Sequence, residues 1–259
     1  MSIRLSFSII FLLPFLALLS CGGKDPVPDP ILSTSDFRFS VSPSQKVLLA
    51  KGNVQYCPAQ NQWRFASTQY LFLGDENALI SSQFDGWIDL FGWGTGDSPV
   101  SADPNDAFYS SFSDHGVHFD GGWRTLSADE WDYILNRRPN ASLLKAKGSV
   151  HREKGFILLP DGWQCPPSVF FSPSPDSNET EYTMSDWKKM EDAGAIFLPA
   201  AGRRSGSALF NVGDRAYYWT SSPVDSSQAF ALYIVDHGAN PFFPYPRHCG
   251  LALRLAKDS

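Results

Sequence analysis

An apolar run behind the lone cation Arg4 ends in Leu18-Leu19-Ser20-Cys21, and this ending decides how much of the chain is available to fold. The run, residues 5–20, is interrupted by Pro14 and is shorter than the roughly 20 apolar residues that a membrane span needs. A charged start, an apolar middle and a small residue before the processing point mark an export signal. The Leu-x-Ser-Cys ending resembles a lipobox, the pattern at which signal peptidase II cuts and the cysteine takes lipid. The sequence therefore predicts a signal peptide over residues 1–20. The mature chain then starts at Cys21, acylated (palmitate among the chains) and held at the outer membrane or cell surface.

Without residues 1–20 the chain keeps 20 basic side chains against 27 acidic ones. That balance argues against a nucleic-acid partner. The membrane is the partner expected through the lipid on Cys21, at about 0.8 kcal/mol per buried methylene. Residues 22–35, GGKDPVPDPILSTS, place three prolines at alternating positions among Gly, Asp and Ser. Such a composition makes an extended tether, so 21–35 is read as lipidated cysteine plus stalk. Residues 36–259 are long enough, and at 14% aromatic residues apolar enough, to form one folded domain.

The folded part reads as strand-rich. Phe37-Arg-Phe-Ser-Val41 alternates apolar and polar residues, and 47–56 and 62–65 carry β-branched and aromatic residues between turn formers, which suggests an opening meander. Ser127-x-x-Glu130 is a capping box ahead of Trp131, Ile134 and Leu135, and Pro139 closes that helix. A second helix is expected from Thr183-x-x-Asp186, showing Trp187 and Met190 on one side and ending at Gly194. Two segments, Gly155-Phe-Ile-Leu-Leu-Pro160 and Gly194-Ala-Ile-Phe-Leu-Pro199, share Gly-x-Ile-x-Leu-Pro and read as two similar core strands. Further strands are expected over 216–220, 229–235 and 251–256. The class is α+β, strand-rich with two short helices and long irregular loops.

Beyond Cys21 three cysteines remain, Cys57, Cys165 and Cys249, in no zinc-like spacing. Three buried thiols are favoured; one bridge is the alternative, with the pairing open.

Seven blocks carry a resemblance: Lys51-Gly-Asn-Val-Gln-Tyr56, Trp63-Arg-Phe65, Gly86-Trp-Ile-Asp-Leu-Phe-Gly-Trp-Gly-Thr95, Trp123-Arg-Thr-Leu-Ser-Ala-Asp-Glu-Trp131, Phe197-Leu-Pro-Ala-Ala-Gly-Arg203, Tyr218-Trp-Thr-Ser-Ser222 and Gly250-Leu-Ala-Leu-Arg-Leu255. In this order they resemble the Fibrobacter succinogenes major paralogous domain and related surface lipoproteins of gut Bacteroidetes. The resemblance implies the C-type lectin-like fold shared with formylglycine-generating enzyme. Within the blocks, Trp123, Trp131, Trp187 and Trp219 are expected in the core. Arg124, Arg203 and Arg254 are expected to satisfy backbone carbonyls at loop crossings.

The activities of that superfamily lack their motifs here. The closely spaced cysteine pair of formylglycine-generating enzymes is reduced to Cys249, and no His-x-x-x-His-x-Glu pattern holds iron. The enzymatic question leans towards no, with a divergent oxidoreductase using Cys249 or His115 and His118 as the alternative and a surface-fibre component as a third reading. His115-Gly-Val-His118, between Asp114 and Asp120, is the one local cluster with metal-ligand chemistry, and its Gly-containing surroundings favour a solvated turn. No cofactor is implied. Ca2+ on Asp103-Pro-Asn-Asp106 with Asp97 is the exception considered, and a polar turn is the preferred reading there. The functional expectation falls on the segment 237–248, read as an aromatic, proline-stiffened loop from His237 to His248. Asn240, Phe243, Tyr245, Arg247 and His248 are its expected contacts to an unidentified protein or glycan. The alternative is that Phe242 and Phe243 cover the end of the core.

Overall fold

The computed structural model describes residues 37–105, 107–173, 180–235 and 238–259. The expected signal peptide, Cys21 and tether lie outside the described residues, as do Asp106 and His237. In chain order the strands and helices are β1 (Phe39–Ser40), β2 (Lys46–Leu49), β3 (Val54–Cys57), β4 (Gln62–Phe65), β5 (Trp123–Thr125), α1 (Ala128–Asp132), β6 (Lys145–Val150), β7 (Glu153–Leu158), β8 (Thr180–Tyr182), α2 (Met184–Asp192), β9 (Ile196–Pro199), β10 (Arg203–Ser205), β11 (Ala208–Phe210), β12 (Ala216–Pro223), β13 (Gln228–Val235), β14 (Gly238–Pro246) and β15 (Leu255–Asp258). The class is α+β. No described helix is long and apolar enough to cross a membrane.

The expected opening meander is split between two sheets. β1 and β2 pair, but the other edge of β2 takes β15, giving the order β1-β2-β15-β5, while β3 and β4 form a hairpin of their own. Gly52 turns the chain between β2 and β3. A Cβ there would meet the Ala66 carbonyl oxygen at 2.2 Å, so only glycine fits.

The two Gly-x-Ile-x-Leu-Pro segments become neighbours. β7 pairs antiparallel with β9, Gly155 opposite Pro199 and Leu158 opposite Ile196, inside the sheet β8-β6-β7-β9. Both helices start as their sequences dictate. Ser127 accepts from the Glu130 amide while Glu130 accepts from the Ser127 amide, and Thr183 accepts from the Asp186 amide. α1 continues as a single π-helical stretch, Tyr133–Arg137, that carries Ile134 and Leu135 into the core. Trp187 and Met190 of α2 are buried, and Gly194 ends that helix with φ +89°.

All four expected core tryptophans are buried. The arginines divide differently from the expectation. Arg254 is fully buried, donating to the carbonyls of Ala50 and Phe197 and to Asn53 Oδ1, so one guanidinium ties three chain segments together. Arg124 instead forms ion pairs with Glu130 and Asp258. The role expected of it is filled by Arg138, Arg204 and Arg247, whose donors go to backbone carbonyls. Cys57 and Cys249 are buried free thiols, but Cys165 is free and exposed, a correction to the expectation of three buried ones.

Candidate binding surface

The late segment is a strand and not the expected loop. Gly238–Pro246 pairs with β13 as the edge of the sheet β12-β13-β14, where Pro241, Pro244 and Pro246 deprive the open edge of donors. Cross-strand partners fix which side chains share a face. Tyr217 lies opposite Tyr233, Trp219 opposite Ala231, Ala231 opposite Phe243, and Ala229 opposite Tyr245. These side chains therefore line one face. The other face sends Tyr218, Leu232 and Ile234 into the core beside Trp131 and Leu198.

A bulge sets this arrangement. Asn240 is opposite Tyr233 and Phe243 opposite Ala231, so Pro241 and Phe242 together face Leu232. Two residues against one reverse the alternation, bringing Asn240 and Phe243 to the same face. The Asn240 side chain holds the bulge by accepting from the Phe242 amide at 3.0 Å. Phe242 turns to the opposite side, edge-on to Phe230 and 39% exposed.

The rings on the first face touch in series. Phe243 and Tyr233 centroids are 4.5 Å apart, Tyr233 and Tyr217 4.8 Å, Tyr217 and Tyr245 5.7 Å, and Phe243 and Tyr245 5.9 Å. Tyr217 is buried, while Tyr233, Phe243 and Tyr245 are half-exposed. Two arginines flank the rings. Arg203 lies over Phe210 at 4.2 Å and near Tyr245 at 5.6 Å. Arg215 donates to the Tyr233 hydroxyl at 2.9 Å and pairs with Asp214. Burial pushes the Tyr245 phenol up to about 12, against the pull of Arg203, and raises Tyr217 as well. At neutral pH these phenols stay protonated, each an apolar ring with a hydrogen-bonding tip.

The five residues expected from the sequence are thus divided. Phe243 and Tyr245 share the ring face, and Asn240 fixes the strand that carries them. Arg247 is buried, stacked on Trp93 at 4.2 Å, with its donors given to the carbonyls of Tyr109, Gln228 and Asp225. His248, together with Arg247, lines a separate cleft of about 400 Å³ with Tyr109, Ser110, Ser227 and Gln228. Tyr217, Tyr233, Arg203 and Arg215 join the surface without having been singled out as contacts. For Tyr217 and Tyr233 the signal was present in the 216–220 and 229–235 strands, but it needed the register.

The metal and thiol readings meet different surroundings. His115 is 1% exposed in a 3-10 turn, its ring among Trp63, Phe91 and Thr95, so the expectation of a solvated turn is corrected there. His118 is exposed, stacked on Trp63 at 4.3 Å and hydrogen-bonded to the Gly96 carbonyl. Asp114 caps this turn and accepts from the amide and hydroxyl of Thr125. Asp103 accepts from its neighbour Asn105. Among the described residues no three His, Cys, Asp or Glu side chains are grouped to hold a metal. Burial pushes the Cys249 thiol up, away from nucleophilic chemistry. No family model, curated protein or solved structure matches the chain.

Proposed function

We propose that this chain is a surface-anchored lipoprotein whose C-type lectin-like domain binds a protein or glycan ligand and catalyses no reaction. The ligand seats on the ring face of β12, β13 and β14. The observation that carries this reading is the run Phe243–Tyr233–Tyr217–Tyr245, rigid rings, three of them with hydroxyl tips, on a paired sheet. Such side chains give contact area at little entropy cost and dominate binding hot spots. The fold assignment rests on the ordered blocks quoted above, with the Trp-x-Ser-Ser strand before the late segment and the Gly-x-x-x-Arg-Leu strand after it. The anchor rests on the Leu-x-Ser-Cys ending at Cys21.

Applying the purified full chain to an array of glycans and surface proteins tests the reading. A hit that falls at least tenfold in the double variant Phe243→Ala, Tyr245→Ala, with its tryptophan emission unchanged, is the expected result. A hit that survives the double change moves the site elsewhere, the His248 cleft being next.

A further inference from the structure

Arg203 is at odds with the other partly or fully buried arginines. Arg124 and Arg138 meet carboxylates, Arg204, Arg247 and Arg254 spend donors on backbone carbonyls, and Arg64, over the Trp87 ring, donates to Gln55 Oε1. Arg203 is half-buried, yet among the described residues no carboxylate or carbonyl accepts from its guanidinium. What holds it is aromatic: Phe210 at 4.2 Å, Tyr245 at 5.6 Å, and the Tyr217 hydroxyl, which takes one of its donors.

That mode of holding has a chemical consequence. A guanidinium lying over a ring uses its flat face, and its N–H donors point outward in the plane, where they match the two oxygens of a carboxylate. On the same surface the other cation, Arg215, is engaged with Tyr233 and Asp214, so the charge left unmatched is positive. It stands on a chain with a net charge of −6. Beside it, Tyr245 offers a half-exposed ring and a hydroxyl that makes no hydrogen bond among the described residues. A cation with donors left over beyond the one given to Tyr217, next to an open ring, suits one molecule that carries both a carboxylate and a flat apolar face.

We propose that the ligand of the ring face is an acidic saccharide, its uronate carboxylate received by Arg203 while the sugar ring lies on Tyr245 and Phe243. This rests on the binding reading given above and names its ligand class.

The test uses the full chain and oligosaccharides of galacturonate, glucuronate and mannuronate, each beside its carboxyl-reduced counterpart, titrated calorimetrically at physiological salt. At least one acidic form is expected to bind ten or more times tighter than its reduced partner. Arg203→Gln should erase that preference, Arg203→Lys should keep part of it, and neither should change binding of the reduced form. Phe243→Ala with Tyr245→Ala should lose both forms. Equal binding of acidic and reduced forms, unmoved by Arg203→Gln but lost in the ring variant, overturns the acidic-saccharide assignment and leaves the ring face as a binding site. Binding of the acidic form that persists in the ring variant overturns both. Absence of binding by every uronate also overturns the assignment; the array then decides whether the ring face takes a protein.

Discussion

A single guanidinium explains why several of the sequence blocks belong together. Arg254 joins the turn before β3, through Asn53 and Ala50, to β9, through Phe197. Gln69 joins the same junction, accepting from the Phe197 amide and donating to the Ala195 carbonyl. Arg254→Met keeps the stem and removes the donors, leaving buried acceptors unpaired at roughly 1–3 kcal/mol each. A loss of about 3–5 kcal/mol is expected, read from the urea midpoint at constant slope. Arg254 was legible because a cation interrupts the apolar run 251–256. Arg138, Arg204 and Arg247 were not, since the carbonyls they satisfy come from distant segments whose crossing no local pattern encodes. The same limit applied to the site: Phe243 and Tyr245 stood out in their own segment, whereas Tyr217, Tyr233 and Arg203 acquired meaning only through pairing.

Elements with local causes were the legible part of the fold. The capping box at Ser127 and the cap at Thr183 placed both helix starts, because their hydrogen bonds close within four residues. Ser127→Ala should cost about 1 kcal/mol in thermal or urea unfolding, the usual worth of a cap. β14 escaped because its prolines and rings read as loop composition. Its strand character comes from β13 beside it, and its facing from the bulge at Pro241 and Phe242. Asn240→Ala removes the acceptor that holds this bulge. The Phe242 amide should then exchange several-fold faster, and global stability should fall by about 0.5–1 kcal/mol. Binding on the ring face should weaken although Asn240 need not touch the ligand. The Trp-Thr-Ser-Ser block likewise has an element-level role: the Ser222 hydroxyl accepts from the Ala128 amide and docks α1 on the irregular end of β12.

Across the whole molecule, two buried groups give opposing pH dependences. Burial lowers His115 to about 3, with the charge of His118 adding to the effect. Below its unfolded value near 6.5 the unfolded chain takes up a proton that the native one refuses, so its contribution to stability falls with falling pH. Burial raises Asp89 to about 6, against the hydrogen bonds from Asn77 and Leu73. Between its unfolded value and 6 the native chain keeps a proton that the unfolded one has released, so this contribution grows as pH falls. His115→Gln isolates the two. The stability difference between wild type and variant should move by about 2–3 kcal/mol against the wild type from pH 7 to pH 4.5. Urea unfolding at both values measures it, and a constant difference would place His115 outside the titration.

β15 lies between β2 and β5, with Ala256 opposite both Leu49 and Arg124. Among the described residues an early and a late strand are therefore side by side, and the guanidinium that knots the middle also arrives late. Such long-range closure is slow. A chain emerging from its amino end, whether from a ribosome or through a membrane pore, cannot complete this sheet until residues 250–259 are free. Until then it stays threadable, and release of its last strand acts as the latch that commits it to one shape.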